Sequence, residues 1–324
     1  MARRKNNNPY VSGEKVLAQD LNDTFAEFKF GGTGADGALS VSSGTTNIDL
    51  GGAAVFVKNY TSISITGTGK ITFSNPHANG TIIIFKSQGD VTLTSSQTPM
   101  IDASNLGASG GSAGASGSNN NGSDGSEGYG FNLVTGAGRG GQFNNGASLA
   151  ANPNAPYRKL GTGYSSKYSW VVPGAGGGGG AHSGDTSKSA GTGGRGGAAF
   201  IIECDGAFNF TTASGISVAG QAGTNSSAAG GPGVQVHGGA GGGGGCFFVL
   251  YRTLTANSGT VTVSGGSAGT GAVNGTNFAN SGPTGGASVN TKSSDGATAT
   301  STGTAAAQAG AAGLSIIAPN LDFA

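Results

Sequence analysis

The residues able to do chemistry are few, and their spacing argues against a catalytic centre. Three histidines, His77, His182 and His237, each sit among small polar neighbours, a setting that predicts exposed, neutral imidazoles. His182 and Asp185 with nearby serines have the composition of a hydrolytic triad, but they lie in a Gly-Ser stretch too pliable to hold catalytic geometry. Gly67-Thr68-Gly69-Lys70 is followed by Ile71 and lacks the upstream glycine that a phosphate-cradling loop needs. Gly31-Gly32-Thr33-Gly34-Ala35-Asp36 matches half of a calcium-binding nonapeptide; such sites need stacked copies, and a Gly-Asp turn accounts for this one. Glycan cleavage needs two carboxylates facing one groove, and Asp49, Asp90, Asp102 and Asp205 single out no pair. Cys204 and Cys246 are set in or beside apolar runs, which predicts two buried thiols rather than a disulfide, and no Cys/His spacing suits zinc. The expectation is a protein without catalytic residues, metal or cofactor.

Recognition chemistry is concentrated in residues 157–170, YRKLGTGYSSKYSW. Tyr157, Tyr164, Tyr168 and the only tryptophan, Trp170, are interleaved there with Arg158, Lys159 and Lys167. Aromatic rings with polar tips give much contact area at low entropic cost, and basic groups among them suit an anionic glycan or an outer-membrane protein loop. The same aromatics would equally serve to cap a β-stack or an inter-subunit seam.

Composition narrows what can hold such residues in place. Of 324 residues 67 are Gly, about three times the usual share, so a conventional close-packed globule is not expected. Charge is sparse and balanced, with 16 Lys plus Arg against 15 Asp plus Glu, which leaves no field to attract nucleic acid or an anionic membrane. The short basic cluster Arg3-Arg4-Lys5 reads as a solubilising tail, and no apolar h-region of a secretory signal follows it. No apolar run approaches the roughly 20 residues of a membrane-spanning helix, so membrane insertion is not expected. A chain with extracellular character and no export signal fits a virion component released by lysis.

Residues 14–30 are the one helical stretch, with Leu17, Leu21, Phe25 and Phe28 making an apolar stripe that must pack on a β-domain or on further copies of the chain. After Gly31 the apolar pattern has period two, and a phrase repeats. Residues 55–73 overlay residues 83–101 at a constant shift of 28, which sets Val55 on Ile83, Lys58 on Lys86, Ile63 on Val91 and Phe73 on Ile101. The phrase returns at 200–218 and 247–263, and Leu314-Ser315-Ile316-Ile317 reads as a truncated copy. Three short strands and two turns per copy predict an all-β chain, a β-helix or solenoid-like stack, with a β-sandwich as the alternative. The Gly-rich excursions between the phrases read either as polyglycine-II-like arrays, packed laterally because glycine lets backbones approach, or as mobile linkers.

Two segments carry a resemblance. Gly13-Glu14-Lys15-Val16-Leu17-Ala18-Gln19-Asp20-Leu21-Asn22-Asp23-Thr24-Phe25 resembles a phrase near the N-terminus of bacteriophage tail-fibre and tail-tip proteins. Val171-Val172-Pro173-Gly174-Ala175 with Gly176–Gly180 looks like the glycine-rich domain of phage tail proteins, with residues 239–245 as a second occurrence. The resemblance implies a receptor-binding adhesin of the virion, in which polyglycine helices are a scaffold and the loops between them touch the host. It also implies a homotrimer or higher oligomer, joined to other virion tail proteins through residues 1–30 and binding a host glycan or outer-membrane protein. The expected divisions are an attachment segment (1–30), β-repeats (31–104), a Gly/Ser-rich excursion with the aromatic patch (105–199), and β-repeats with Gly-rich loops (200–324). A purely structural decoration, a self-assembling filament subunit and a depolymerase spike are the other readings of the same pattern.

Overall fold

A computed structural model describes residues 30–116, 120–131, 134–142, 168, 171–182, 188–211, 215–227, 234–274, 280–281, 283–289, 298–299 and 307–320. Every regular element among them is a strand. The helix expected over residues 14–30, with Leu17, Leu21, Phe25 and Phe28, falls outside the described residues apart from Phe30.

The strands come in recurring sets. In chain order they are β1 (Ala38–Val41), β2 (Thr45–Asp49), β3 (Val55–Tyr60), β4 (Ser62–Ile65), β5 (Lys70–Ser74), β6 (Ile82–Ser87), β7 (Val91–Leu93) and β8 (Ile101–Asp102). Then follow β9 (Gly128–Tyr129), β10 (Val134–Thr135), β11 (Ala199–Phe210), β12 (Gly215–Ser217), β13 (Val234–Val236), β14 (Cys246–Asn257) and β15 (Thr260–Thr262). The last are β16 (Ala272–Asn274), β17 (Asn280–Ser281), β18 (Thr298–Ala299) and β19 (Leu314–Pro319).

Parallel pairing arranges these strands in three columns. The first runs β3, β6, the first half of β11, the first half of β14, and β19. The second runs β1, β4, β7 and the second halves of β11 and β14. The third runs β2, β5, β8, β12 and β15. Because β11 and β14 each contribute to two columns, the first and second columns form one 8-stranded sheet, and the third is a separate 5-stranded sheet. Every pair in both sheets is parallel, so the hairpin-built sandwich does not describe them.

Period-two alternation sends one side chain in two inward, and in-register pairing stacks like on like. Leu39, Ile63, Val91, Phe208 and Leu254 form one inward row, and Ile71, Ile101, Ile216 and Val261 another. At the centre Phe85 and Phe200 meet edge to face, with centroids 5.2 Å apart at 86°, and both are essentially sealed from solvent. Each such ring contributes about 1.5–3 kcal/mol by its burial. Cys204 and Cys246 are free, buried thiols, as their apolar runs implied, and burial pushes them up to about 11 and about 12. Neither should react with a thiol reagent at pH 8 in the native protein, and both should react in denaturant.

The constant shift of 28 needs correcting. Val55 pairs with Ile82, Ile63 with Val91 and Ile71 with Ile101, shifts of 27, 28 and 30 in the three columns. Lys58 therefore lies beside Phe85, and Asn59 beside Lys86. Inward side chains set the register, and extra residues are absorbed in the turns between columns, where no ladder counts them. The truncated copy at Leu314–Ile317 does pair, as β19 on β14, and an early set, β1 and β2, precedes the repeats found by pattern.

Candidate interaction site

The Gly-rich segments form a second structural unit built on backbone hydrogen bonds. Residues 171–182 lie at its axis, surrounded by six extended segments: 107–114, 120–128, 136–142, 189–198, 236–245 and 283–288. Contacts repeat every third residue. The N–H groups of Gly174, Gly177 and Gly180 donate to Gly197, Gly194 and Gly191, while their carbonyls accept from Ala108, Gly111 and Gly114. One residue earlier in that repeat, Gly176 and Gly179 donate to Ser126 and Ser123 and accept from Gly138 and Gly141. On the remaining side Ala175 and Gly178 donate to Ala287 and Thr284 and accept from Gly243 and Ala240.

That geometry explains the glycine runs. A segment covered on every side has no direction in which to put a side chain, and residues 174–181 hold only Gly and Ala. A Cβ on Gly178 would overlap the carbonyl oxygen of Arg139, and one on Gly179 that of Ser112. Residues 238–245 are likewise only Gly and Ala, and that segment bonds outward to 218–227, 263–270 and 307–313. Segments at the periphery keep Gly where they face a neighbour and place Ser, Thr, Gln or Arg where they face solvent; Gly223 is buried between exposed Ala222 and Thr224. All three excursions contribute to this one unit, so they are not independent linkers.

Its two ends differ. At one, segments 189–198 and 236–245 run directly into β11 and β14, and 307–313 into β19. Arg195 ties that end to the loops beside β6 and β8: its guanidinium donates to the carbonyls of Gly107 (2.9 Å), Asn105 (3.1 Å) and His77 (3.2 Å), and to Ser109 Oγ (3.1 Å). A lone Arg inside a Gly run is the only sign of this in the sequence.

The other end is tied by a second set of contacts. Asn120 bridges His182, His182 bridges Val236, β13 pairs with β16, and Ser227 donates to Ser189. Asn120, His182, Ser189, Ser227, Val236 and Ala272 thus lie together at this far end. His182 and His237 lie there buried, 0 % and 2 % exposed, which corrects the expectation of surface imidazoles: neighbouring segments enclose positions that their small polar sequence surroundings made look open. His77 is half-buried, and its Nδ1 accepts the Asn79 N–H.

Burial drives His237 down to about 4 from an ordinary 6.5. As pH falls the unfolded chain binds this proton first, so the contribution is complete above pH 6.5, drains away between 6.5 and 4, and changes no further below. About 3 kcal/mol of stability should disappear over that window. Urea unfolding at pH 7.5 and 4 measures it, and His237→Gln should flatten that part of the profile.

The aromatic patch is placed only at Tyr168; Tyr157, Arg158, Lys159, Tyr164, Lys167 and Trp170 lie outside the described residues. Tyr168 is 2 % exposed and packs edge to face on Phe248 (5.9 Å, 80°) and against Phe131 (6.4 Å). Its hydroxyl donates to Glu203 Oε1, whose partner oxygen accepts the Gly31 N–H (3.1 Å) and pairs with Lys86 Nζ (3.6 Å). Tyr168 therefore seals the outer face of the first column, an apolar surface of Ile82, Ile84, Ile201 and Phe248, and is not offered to a partner. Sequence spacing did not reveal the Lys86–Glu203–Tyr168 network, because its members come from three distant parts of the chain.

Among the described residues no group of three or more His, Cys, Asp and Glu is placed to hold a metal, and no helix is long and apolar enough to cross a membrane. No family model, curated protein or solved structure matches the chain.

Proposed function

We propose that this chain is a receptor-binding adhesin of a bacteriophage tail fibre or tail tip, acting by binding without catalysis. In this reading the three columns are a β-solenoid, each set of strands one coil, and the glycine segments are polyglycine-II helices bundled beside it. The observation that carries the reading is the axial segment 171–182, bonded to neighbours on every side. Such a bundle holds its extended segments in fixed relative positions at little cost in side-chain entropy, which suits a protein that must meet a receptor at several points. The resemblance of residues 13–25 and 171–180 to phage tail proteins supports the same conclusion. The chain is then a virion component, attached through residues 1–30 and present in several copies, and many weak contacts with a host glycan or outer-membrane protein add up to firm attachment.

Replacing residues 183–187 and 228–233, each by a Gly-Ser stretch of equal length, should leave the particle assembled and reduce adsorption to host cells by roughly tenfold or more. Trp170→Ala tests the aromatic segment in the same assay. Unchanged adsorption for all of these variants removes the reading.

A further inference from the structure

We infer that the two ends of the strand stack are complementary, and that a second copy of this chain docks head to tail by completing one coil. At one end the second and third columns begin with β1 and β2, while the first begins one rung later, with β3. At the other end the first column runs one rung further, to β19, while the second and third stop at β14 and β15. The step at one end is the inverse of the step at the other: β19 of one copy followed by β1 and β2 of the next makes a full set of three strands.

Register carries across such a joint. Extending the existing rows places Leu254 over Leu39 and Val261 over Thr46, as continuations of the rows through Phe208 and Ile216. Side chains at the two faces are those left incompletely covered. Leu254 is 44 % exposed and Val55 38 %, while Leu39, Ile48, Val261 and Ile317 are only partly buried; the rows between them, such as Ile63, Val91 and Phe208 or Ile71, Ile101 and Ile216, are sealed. Residues 33–37 cover the Lys58–Tyr60 half of β3, through Asp36 bonded to the Asn59 backbone, so β19 would pair with the Val55–Val57 half. Pro319, which has no N–H to offer a ladder, falls at the covered half.

Edge strands that must stay single usually carry Lys, Pro or inward charges. Neither β1, Ala-Leu-Ser-Val, nor the Thr253–Asn257 half of β14, Thr-Leu-Thr-Ala-Asn, contains a charge or a proline. Phe30 packs on the outer face of the first column and Gly31 lies against Ser87 and Asp205, so among the described residues nothing crosses the β1–β2 face. Heterologous contacts of this kind propagate unless an end is blocked.

Sedimentation of the full chain over a range of concentrations should show mass rising beyond one chain. Leu254→Asp and Val55→Asp should each remain monomeric, with the strand signal in circular dichroism unchanged. Mixed in equal amounts, the two variants should form a heterodimer and nothing larger, because each has one intact face. Leu39→Asp is a second block on the β1 face if Val55→Asp proves too mild. A monomer at every concentration overturns the inference, and so does an assembly that survives both single blocks. The inference rests on the stacked reading of the strands and not on host binding; adsorption assayed with these variants separates the two.

Discussion

Gly178→Val should be among the most damaging single substitutions in this protein, costing at least ~3 kcal/mol and releasing the glycine bundle while the strand stack persists. Even the first carbon of a side chain at this position overlaps the Arg139 carbonyl oxygen, and the atoms in the way are backbone on a neighbour that is itself hydrogen-bonded. Relief would require that neighbour to move, with loss of contacts such as Gly138 to Gly176 and Thr284 to Arg139. Ala222→Val, at an exposed position of the peripheral segment 218–227, should change stability by no more than ~0.5 kcal/mol. Hydrogen exchange gives the sharper readout: amides of 174–180 should lose protection in Gly178→Val while those of β6 and β11 keep it. Uniform loss would mean that the two units unfold as one.

Breaking the buried charge pair should have the next largest effect. Lys86 and Glu203 are each about 3 % exposed at the side chain, and Glu203 also accepts Tyr168 and Gly31. Glu203→Ala should cost about 3–5 kcal/mol, since it leaves Lys86 without its carboxylate inside an apolar face. The double variant Lys86→Met with Glu203→Leu should recover much of that loss, because desolvating an ion pair offsets most of its attraction and apolar groups of similar size avoid the penalty. Tyr168→Phe should cost less, about 1.5–3 kcal/mol, the loss of one hydrogen bond to a charged group. Denaturant midpoints for the three variants give that order, and a double variant no better than Glu203→Ala would show that the network is held by something other than charge.

The strands were legible because their information is local. Alternation in Ser62–Ile65 or Phe208–Phe210 states which side chains face inward, and stacking like rows then follows from one short-range rule. Register was less legible, since the shifts of 27, 28 and 30 depend on turn residues that leave no periodic trace. The early set β1–β2 was less legible because it offers only one alternating pair at each strand, Leu39 with Val41 and Ile48 with Leu50, without the apolar run that opens the other copies.

The sequence by itself determined that the regular structure of the described parts is all-β and that its thiols are buried, because alternation and apolar neighbours act over a short range. Only the tertiary structure decided which glycine segments touch, which face of the stack is closed by Tyr168, and where His182 and His237 lie. Glycine has no side chain with which to encode a partner, so the packing of one such segment on another is specified by the backbone hydrogen bonds of the whole assembly and by the strands that anchor its ends.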